Sequence, residues 1–316
     1  MARREAFSAG GTSPKLFAGV ELGGTKCVCL LGTGPDNLLA QERLPTRDPE
    51  TTLSGIESVL ESWVDRHGPI AALGLASFGP LDLNPSSPTY GYIAATPKPG
   101  WSNTRVASRF GERLRVPVVL DTDVNGAALA EGRWGAAAGL TNFAYVTVGT
   151  GVGVGLIVNG QTLFGCHHTE MGHLRIPRRA GDRWPGACSF HGDCVEGLAS
   201  GPAIEARVGA PADSLAQDHP VWDSVVHALS QLLHAMVLTT APQRIVMGGG
   251  VLASRDSLFP RIRQELRRSL NGYLKVDELD AGLAHFVVPP ALGALAGPLG
   301  ALVLAQKAPG DLAPRT

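Results

Sequence analysis

Short apolar runs alternate along the chain with stretches in which apolar residues recur every three or four positions. Two of the apolar runs, at residues 16–32 and 142–160, are interrupted by glycines, and each predicts a strand, a tight turn and a second strand. Further runs at 70–83, 116–135 and 244–252 predict buried strands, and the second of these continues into a helix. Strands that alternate with helices in this way indicate an α/β fold.

Helical spacing is clearest where Leu53, Ile56 and Leu60 recur at intervals of three and four. We therefore predict a helix over residues 51–68 that ends at Gly68. Further helices are predicted over residues 106–114, 196–209, 220–240 and 291–307, and within residues 257–274 after Pro260. The intervening segment 84–101 is rich in proline and glycine and predicts a loop.

The two glycine-interrupted hairpins resemble each other. VELGGTKCVCL and VTVGTGVGVGL lie about 125 residues apart, which suggests an internal duplication. Two glycine turns can surround a polyphosphate with backbone N–H groups, although any hairpin also needs glycine at its turn. The first turn lacks the spacing of a P-loop or of the dinucleotide fingerprint, so neither of those motifs explains it.

Composition narrows the class of protein. The chain has 316 residues, of which 44% are hydrophobic and 17% charged, and its net charge is −1. It is long enough for one large or two medium domains, and it lacks the basic field that nucleic-acid binding requires. With no run of 18 apolar residues and no apolar signal segment, we expect a cytoplasmic protein that interacts with no membrane and begins with a disordered lead over residues 1–15. Five cysteines, an odd number, argue against a disulfide framework.

Two carboxylates follow a predicted buried strand in LDTDVNGAALAEG, residues 120–132. Ligands of α/β proteins bind where such strands end, and a carboxylate there can accept a hydroxyl proton. Asp is also a common helix N-cap, so either Asp121 or Asp123 could simply begin the following helix. We favour Asp123 as the functional carboxylate and a capping role for Asp121.

The segment ACSFHGDCVEGLASG, residues 187–201, has the spacing of a metal site. Cys188, His191 and Cys194 supply three ligands suited to zinc within seven residues. A structural site needs a fourth ligand, and the candidates are Cys166, His167, His168 and His173. Four protein ligands would leave no open position, which favours a structural role over a catalytic one.

Seven segments occur in the order found in the ROK family of repressors, open reading frames and sugar kinases. They are GVELGGTK, LASFGPLDL, LDTDVNGAALAEG, TVGTGVGVG, TEMGH, CSFHGDCVEGLASG and MGGGV. The resemblance spans residues 16–305. The C-x-x-H-x-x-C spacing and Glu21, where many members have Asp, resemble the fructokinase branch. No helix-turn-helix pattern lies ahead of Leu16, where the family's repressors carry one, so we expect a kinase.

The resemblance implies the actin-like ATPase (ribonuclease H-like) fold, with two α/β domains and an active site in the cleft between them. We expect a smaller domain over residues 16–125 and a larger one over 126–294 that contains a zinc-binding insertion at 165–200. A C-terminal helix at about 295–307 is expected to return to the first domain.

The resemblance also assigns residues to roles, with Asp123 as the catalytic base. It assigns ATP binding to Gly23, Gly24, Thr25, Gly149, Thr150, Gly151, Gly249 and Gly250, and we add Lys26. It assigns sugar binding to Glu170, His173 and Glu196, and we add Gly79 and, from the PGWSN loop, Trp101 and Asn103 as candidates. It assigns zinc to His173, Cys188, His191 and Cys194, and we add Glu21 as a candidate for the outer shell of Mg²⁺.

The implied activity is ATP-dependent phosphorylation of a hexose, with fructose expected to give fructose 6-phosphate. Zinc would hold Glu170 and Glu196 at the same sugar rather than activate water. The alternatives are a glucokinase, a broad hexokinase or N-acetylmannosamine kinase, and, outside enzymes, a sugar-sensing regulator or binding protein. The family usually forms dimers, so a homodimer is expected.

Overall fold

The computed structural model describes residues 15–96, 98–253, 255–274 and 283–308. Apart from Lys15, the predicted lead over residues 1–15 lies outside the described residues. The strands are β1 Leu16–Leu22, β2 Lys26–Gly34, β3 Asn37–Pro45, β4 Ile70–Ser77, β5 Tyr92–Ile93, β6 Thr104–Arg105, β7 Val118–Thr122, β8 Phe143–Val148, β9 Val152–Val158, β10 Gln161–Thr162, β11 Arg244–Gly248 and β12 Val287–Val288. The helices are α1 Pro49–His67, α2 Ala107–Leu114, α3 Asp123–Trp134, α4 Val195–Ala199, α5 Gly201–Val208, α6 Val221–Thr240, α7 Leu258–Leu270 and α8 Ala296–Gln306.

The chain forms two five-stranded sheets with the same strand order. The first sheet runs β3-β2-β1-β4-β7 and the second β10-β9-β8-β11-β12. In each, three antiparallel strands are followed by two that run parallel to the central one. The shared order supports the internal duplication that the two glycine turns predict.

The carboxyl ends of the parallel strands bring polar residues to one edge of each sheet. In the first sheet Glu21 of β1 pairs with Ala76 of β4, which pairs in turn with Asp121 of β7. In the second sheet Thr147 of β8 pairs with Gly248 of β11. Open α/β sheets bind ligands at this edge, and both sheets direct it to the same region.

Five layers build the core, with helices and sheets alternating. Helices α1 and α2 cover one face of the first sheet, and α6 and α7 cover one face of the second. Helices α3 and α8 lie between the sheets and pack against both. Helix α6 is long and apolar enough to cross a membrane, but 67% of its most apolar 18-residue stretch is buried inside the protein. Its apolar side chains therefore belong to the core of the second sheet.

The contact between α8, the first sheet and α3 depends on glycines. A Cβ built on Gly74 would lie 1.8 Å from the carbonyl oxygen of Ala301, and one on Gly300 would lie 2.1 Å from the backbone of Gly126. Backbone can approach this closely only where no side chain intervenes. Helix α8 thus packs on β1, β2 and β4, whereas the domain boundary at residue 125 stays a prediction.

Some element boundaries differ from those predicted. The helix predicted over residues 196–209 is two helices, because Ser200 ends α4 and its hydroxyl accepts the Ala203 N–H at 3.3 Å to begin α5. Strand β3 was not predicted, since all of its residues are exposed or only partly buried. Pro298 lies in the first turn of α8, where proline is tolerated, so it does not interrupt the helix.

Candidate active site

Two cavities meet at the amino end of α3. The larger, of about 970 Å³, lies between the loops that follow β4 and β5 and the loops of the second sheet. The smaller, of about 430 Å³, lies beside the carboxyl end of β11 and the start of α8. Asp123, Val124 and Thr147 line both cavities. The arrangement places Asp123 where groups bound in the two cavities would meet.

The junction of β7 and α3 fixes the Asp123 carboxylate. Thr122 is the N-cap of α3, and its hydroxyl accepts the Asn125 N–H at 3.2 Å. Asp123 is therefore the first helical residue, and its carboxylate accepts the N–H of Val124 at 2.8 Å. Burial, with a contribution from the Glu170 carboxylate, raises the pKa of Asp123 to about 6.

Asp121 differs from Asp123 in its surroundings. It is buried, and its carboxylate accepts hydrogen bonds from the Thr122 N–H and from the Asn125 side chain, both at 2.7 Å. The prediction that Asp121 caps the helix is wrong, because Thr122 does so. Asp121 instead holds the strand–helix junction together.

The larger cavity contains the residues that the sequence assigns to the sugar. They are Gly79, Asn103, Glu170, His173 and Glu196, and the second glycine turn, Gly149, Thr150 and Gly151, also lines this cavity. The Glu196 carboxylate accepts the Val152 N–H at 3.1 Å and lies 3.9 Å from Nε2 of His173. Trp101 is an incorrect candidate, because it is fully buried and its indole N–H donates to the carbonyl of Arg47 at 2.9 Å.

The smaller cavity contains Glu21, Lys26, Gly249 and Gly250. Gly249 has a φ of 95°, and a Cβ on it would lie 2.4 Å from the Val148 carbonyl oxygen, so the loop requires glycine there. Burial, followed by repulsion from Asp123, raises the pKa of Glu21 to about 7, against the opposing effect of Lys26.

The first glycine turn is close to this site without lining it. Gly23, Gly24 and Thr25 form the β1–β2 turn, and of this segment Lys26 alone faces the smaller cavity. Lys98, which sequence reasoning missed, donates a hydrogen bond to the carbonyl of Gly24. A lysine 72 residues beyond Lys26 in a proline-rich loop gives no sequence signal for this contact.

Four candidate metal ligands converge. His173, Cys188, His191 and Cys194 place their ligand atoms within 4.8 Å of one another. The Nδ1 atom of His173 lies 3.6 Å from each sulfur, and Nδ1 of His191 lies 3.7 Å from the Cys188 sulfur. Tetrahedral zinc, with usual Zn–S and Zn–N bonds, separates sulfur from nitrogen by about 3.6 Å, so the residues present fit the ion.

Each metal-ligand segment also carries an acid of the larger cavity. His173 ends the 3₁₀ turn Met171–His173, which directly follows Glu170. Cys194 is the N-cap of α4, where its sulfur accepts the Gly197 N–H at 3.5 Å, and Glu196 is the second residue of that helix. The ligand cluster and the two carboxylates are therefore parts of the same two short elements.

The three other candidates for the fourth metal ligand lie outside the ligand cluster. Cys166 and His167 are exposed, and the five cysteines, all within the described residues, are free thiols. His168, the third of these candidates, is buried and lines the larger cavity, where it lies outside the group of ligand atoms that converge. Its contacts join two loops that the sequence separates by 87 residues.

The ROK family pattern matches residues 17–308. This chain belongs to the ROK family. It is 40% identical to a fructokinase of Zymomonas mobilis over 93% of this chain and 97% of that protein. It is 38% identical to a fructokinase of Pediococcus pentosaceus over 93% and 98% of the two chains. Glucokinases match more distantly, at 26% and 30% identity.

A solved structure supports the same assignment. The ROK hexokinase of Thermus thermophilus superposes with a TM-score of 0.76 at 28% identity, covering 92% of this chain and 98% of that one. The predicted family and the predicted actin-like ATPase fold are thereby confirmed.

Proposed function

We propose that this protein is an ATP-dependent kinase that converts fructose to fructose 6-phosphate. The observation that carries the proposal is the position of Asp123 at the junction of two cavities. One cavity presents Glu170 and Glu196, which suit sugar hydroxyls, and the other is bordered by glycines, which suit a nucleotide. The fructokinase relatives and the C-x-x-H-x-x-C spacing favour fructose among hexoses.

In the proposed reaction a sugar hydroxyl attacks the γ-phosphorus of ATP. A new P–O bond forms to the sugar, the bond to the β–γ bridging oxygen breaks, and ADP leaves. Asp123 accepts the hydroxyl proton as the bond forms, because the alcohol becomes acidic only late in the reaction. Most of the rate enhancement then comes from positioning the two substrates in line.

The glycine segments are proposed to bind the nucleotide. Gly249 and Gly250 would contact adenosine, and the turns at residues 23–26 and 149–151 would direct N–H groups at the phosphates. Mg²⁺ would accompany ATP and neutralise phosphate charge. Glu21 is our candidate for its outer shell, since this carboxylate lines the smaller cavity close to Asp123.

Zinc is proposed to be structural. His173, Cys188, His191 and Cys194 would hold it and leave no open position, so the ion would supply rigidity rather than a nucleophile. The second nitrogen of His173 faces Glu196, and this ring would therefore orient a carboxylate of the sugar site. The homodimer and the cytoplasmic location stay predictions.

A glucokinase is the second candidate, because glucokinases are also matched, though at lower identity. One differently placed hydroxyl separates these sugars, and small shifts of the acids that line the cavity would decide between them. A sugar-sensing regulator would bind sugar without turnover, and the placement of Asp123 between the cavities argues against it.

The test is coupled ADP release across a panel of hexoses, with the wild type and Asp123→Ala compared. We expect fructose to give the highest kcat/KM and the variant to lose about 10²–10⁴-fold in kcat. Asp65→Ala, which changes an exposed carboxylate on α1, is the matched control and is expected to retain full activity. A higher kcat/KM for glucose than for fructose would contradict fructose as the proposed substrate. Full activity of Asp123→Ala would contradict Asp123 as the proposed base.

A further inference from the structure

His168 joins the two sides of the larger cavity. The residue is only 5% exposed, and Nε2 of its ring accepts the N–H of Leu81 at 3.1 Å. On the other side of the ring, Nδ1 lies 3.3 Å from a carboxylate oxygen of Glu170. A Cβ built on Gly79 would lie 3.4 Å from Cε1 and Nε2, so the loop backbone packs directly on the ring.

These contacts define the protonation of the ring. Nε2 can accept a hydrogen bond only if it carries no hydrogen, so the neutral ring has its hydrogen on Nδ1. Nδ1 then carries its hydrogen 3.3 Å from the Glu170 carboxylate, close enough for electrostatic attraction. Because the Leu81 N–H occupies Nε2, His168 has no acceptor left for a sugar hydroxyl.

The loop held by His168 positions a second part of the cavity. The carbonyl of Pro80 accepts the Ala94 N–H at 2.8 Å, and the carbonyl of Ala94 accepts the Asn103 N–H at 3.4 Å. Asn103 lines the same cavity as Glu170, on a segment contributed by the loops of the first sheet. A displacement of the loop at residues 79–82 would therefore be transmitted to Asn103.

We propose that His168 is a positioning residue that sets sugar affinity by fixing Glu170 and the 79–82 loop relative to each other. One nitrogen holds the loop, and the other orients the carboxylate. This inference rests on the proposed function, since it assumes that the larger cavity binds the sugar. It assigns His168 no role in nucleotide binding, because His168 does not line the smaller cavity.

Three substitutions separate the two contacts. In His168→Gln the amide oxygen can replace Nε2 as the acceptor for Leu81, whereas in His168→Asn the amide nitrogen can take the place of Nδ1 beside the Glu170 carboxylate. His168→Leu removes both contacts. The matched control is His234→Gln. His234 lies on α6, outside both cavities, and its Nδ1 atom hydrogen-bonds the hydroxyl of Ser269 on α7 at 2.9 Å.

We expect the KM for fructose to rise about tenfold in each amide variant and about 100-fold in His168→Leu, with the KM for ATP unchanged within about twofold. A general loss of folding would instead lower kcat and leave both KM values similar. A KM for fructose in His168→Leu within about twofold of the wild type would overturn the proposal. If the preferred sugar is another hexose, the same comparison is made with that sugar, and only the proposed substrate fails.

A spectroscopic measurement tests the inference without turnover. In ¹⁵N spectra of histidine-labelled protein, the signals lost in His168→Asn identify the ring. We expect a neutral ring with its hydrogen on Nδ1, and faster hydrogen exchange at the Leu81 amide in His168→Leu. Detection of the hydrogen on Nε2 of His168 would contradict the proposal, whether or not the protein phosphorylates a sugar.

Discussion

At the scale of single residues, the site depends on two partly buried carboxylates that line its cavities. Burial raises the pKa of Asp123 to about 6 and that of Glu21 to about 7. An ionised carboxylate in such a place is a better proton acceptor than one in water, but its charge lowers the stability of the folded protein. The same burial thus serves the reaction and destabilises the fold.

We predict that Asp123→Asn stabilises the protein at neutral pH. The folded pKa exceeds the ordinary value of 3.8, so ionisation costs the folded state stability as the pH rises from about 4 to about 6. The variant is expected to gain about 1–2 kcal/mol in unfolding free energy above pH 7 and nothing below pH 4. Asparagine can still accept the Val124 N–H.

Urea unfolding at a series of pH values measures this gain. Asp65→Asn, which alters an exposed aspartate, is the control and should show no comparable pH-dependent gain. An Asp123→Asn variant that is less stable than the wild type at pH 7 would contradict the prediction.

Sequence reasoning identified individual residues where a motif surrounds them and missed those that act through distant partners. Asp123, Glu170 and Glu196 could be assigned because LDTDVNG, TEMGH and CVEG resemble family segments. His168 and Lys98 could not, because their partners lie 87 and 74 residues away. No local pattern shows which backbone group a buried side chain will meet.

At the scale of elements, the metal-ligand cluster joins two short elements that have little stability of their own. The 3₁₀ turn Met171–His173 has three residues and α4 has five, well below the length at which an isolated helix is stable. The resemblance to the ROK family implied all four ligands, and the structure brings them together. A shared ion would link the two elements at the base of the larger cavity.

We predict that Cys194→Ser abolishes zinc binding without removing the start of α4. The serine hydroxyl can replace the sulfur as the acceptor for the Gly197 N–H, but it is a poor zinc ligand. Mass spectrometry of metal content should find about one zinc ion per wild-type chain after dialysis and none in the variant. The KM for fructose should be higher in the variant, which lacks zinc, than in the wild type.

Cys166→Ser is the matched control, because Cys166 is exposed and lies outside the cluster. This variant should bind zinc and should have the same KM for fructose as the wild type. Zinc retained in Cys194→Ser at wild-type content would rule out this ligand set.

At the scale of the whole molecule, α8, formed late in the chain, packs against strands formed early in it. It packs on the first sheet and on α3, and α3 carries Asp123 at its amino end. Gly300 and Gly126 allow the two helices to approach with backbone in contact. The position of Asp123 between the cavities therefore depends on a contact between segments about 170 residues apart.

We predict that Gly300→Ala lowers the thermal midpoint by about 5 °C or more. A Cβ at this position would lie 2.1 Å from the backbone of Gly126, which cannot move without displacing α3. Helix propensity alone predicts the opposite, since alanine exceeds glycine by about 1 kcal/mol.

Gly111→Ala in α2 is the matched control. The nearest atom to a Cβ there is 3.5 Å away, so propensity should dominate and the midpoint should rise slightly. Calorimetry of both variants distinguishes the two effects, and a stabilised Gly300→Ala would show that the packing at this contact tolerates a side chain.

The sequence by itself determined the fold class, the duplicated glycine hairpins and three of the four ligands that fit zinc, whereas the fourth, His173, was implied only by the resemblance to the ROK family. The fold class, the hairpins and the three ligands are encoded locally, because hydrophobic period, turn glycines and ligand spacing each act within about 20 residues. The tertiary structure decided that Thr122 rather than an aspartate caps α3, that Trp101 belongs to the core, and that His168 joins two loops across the cavity. These depend on which distant groups pack together, and a side chain's role at such a contact follows from its neighbours rather than from its position in the chain.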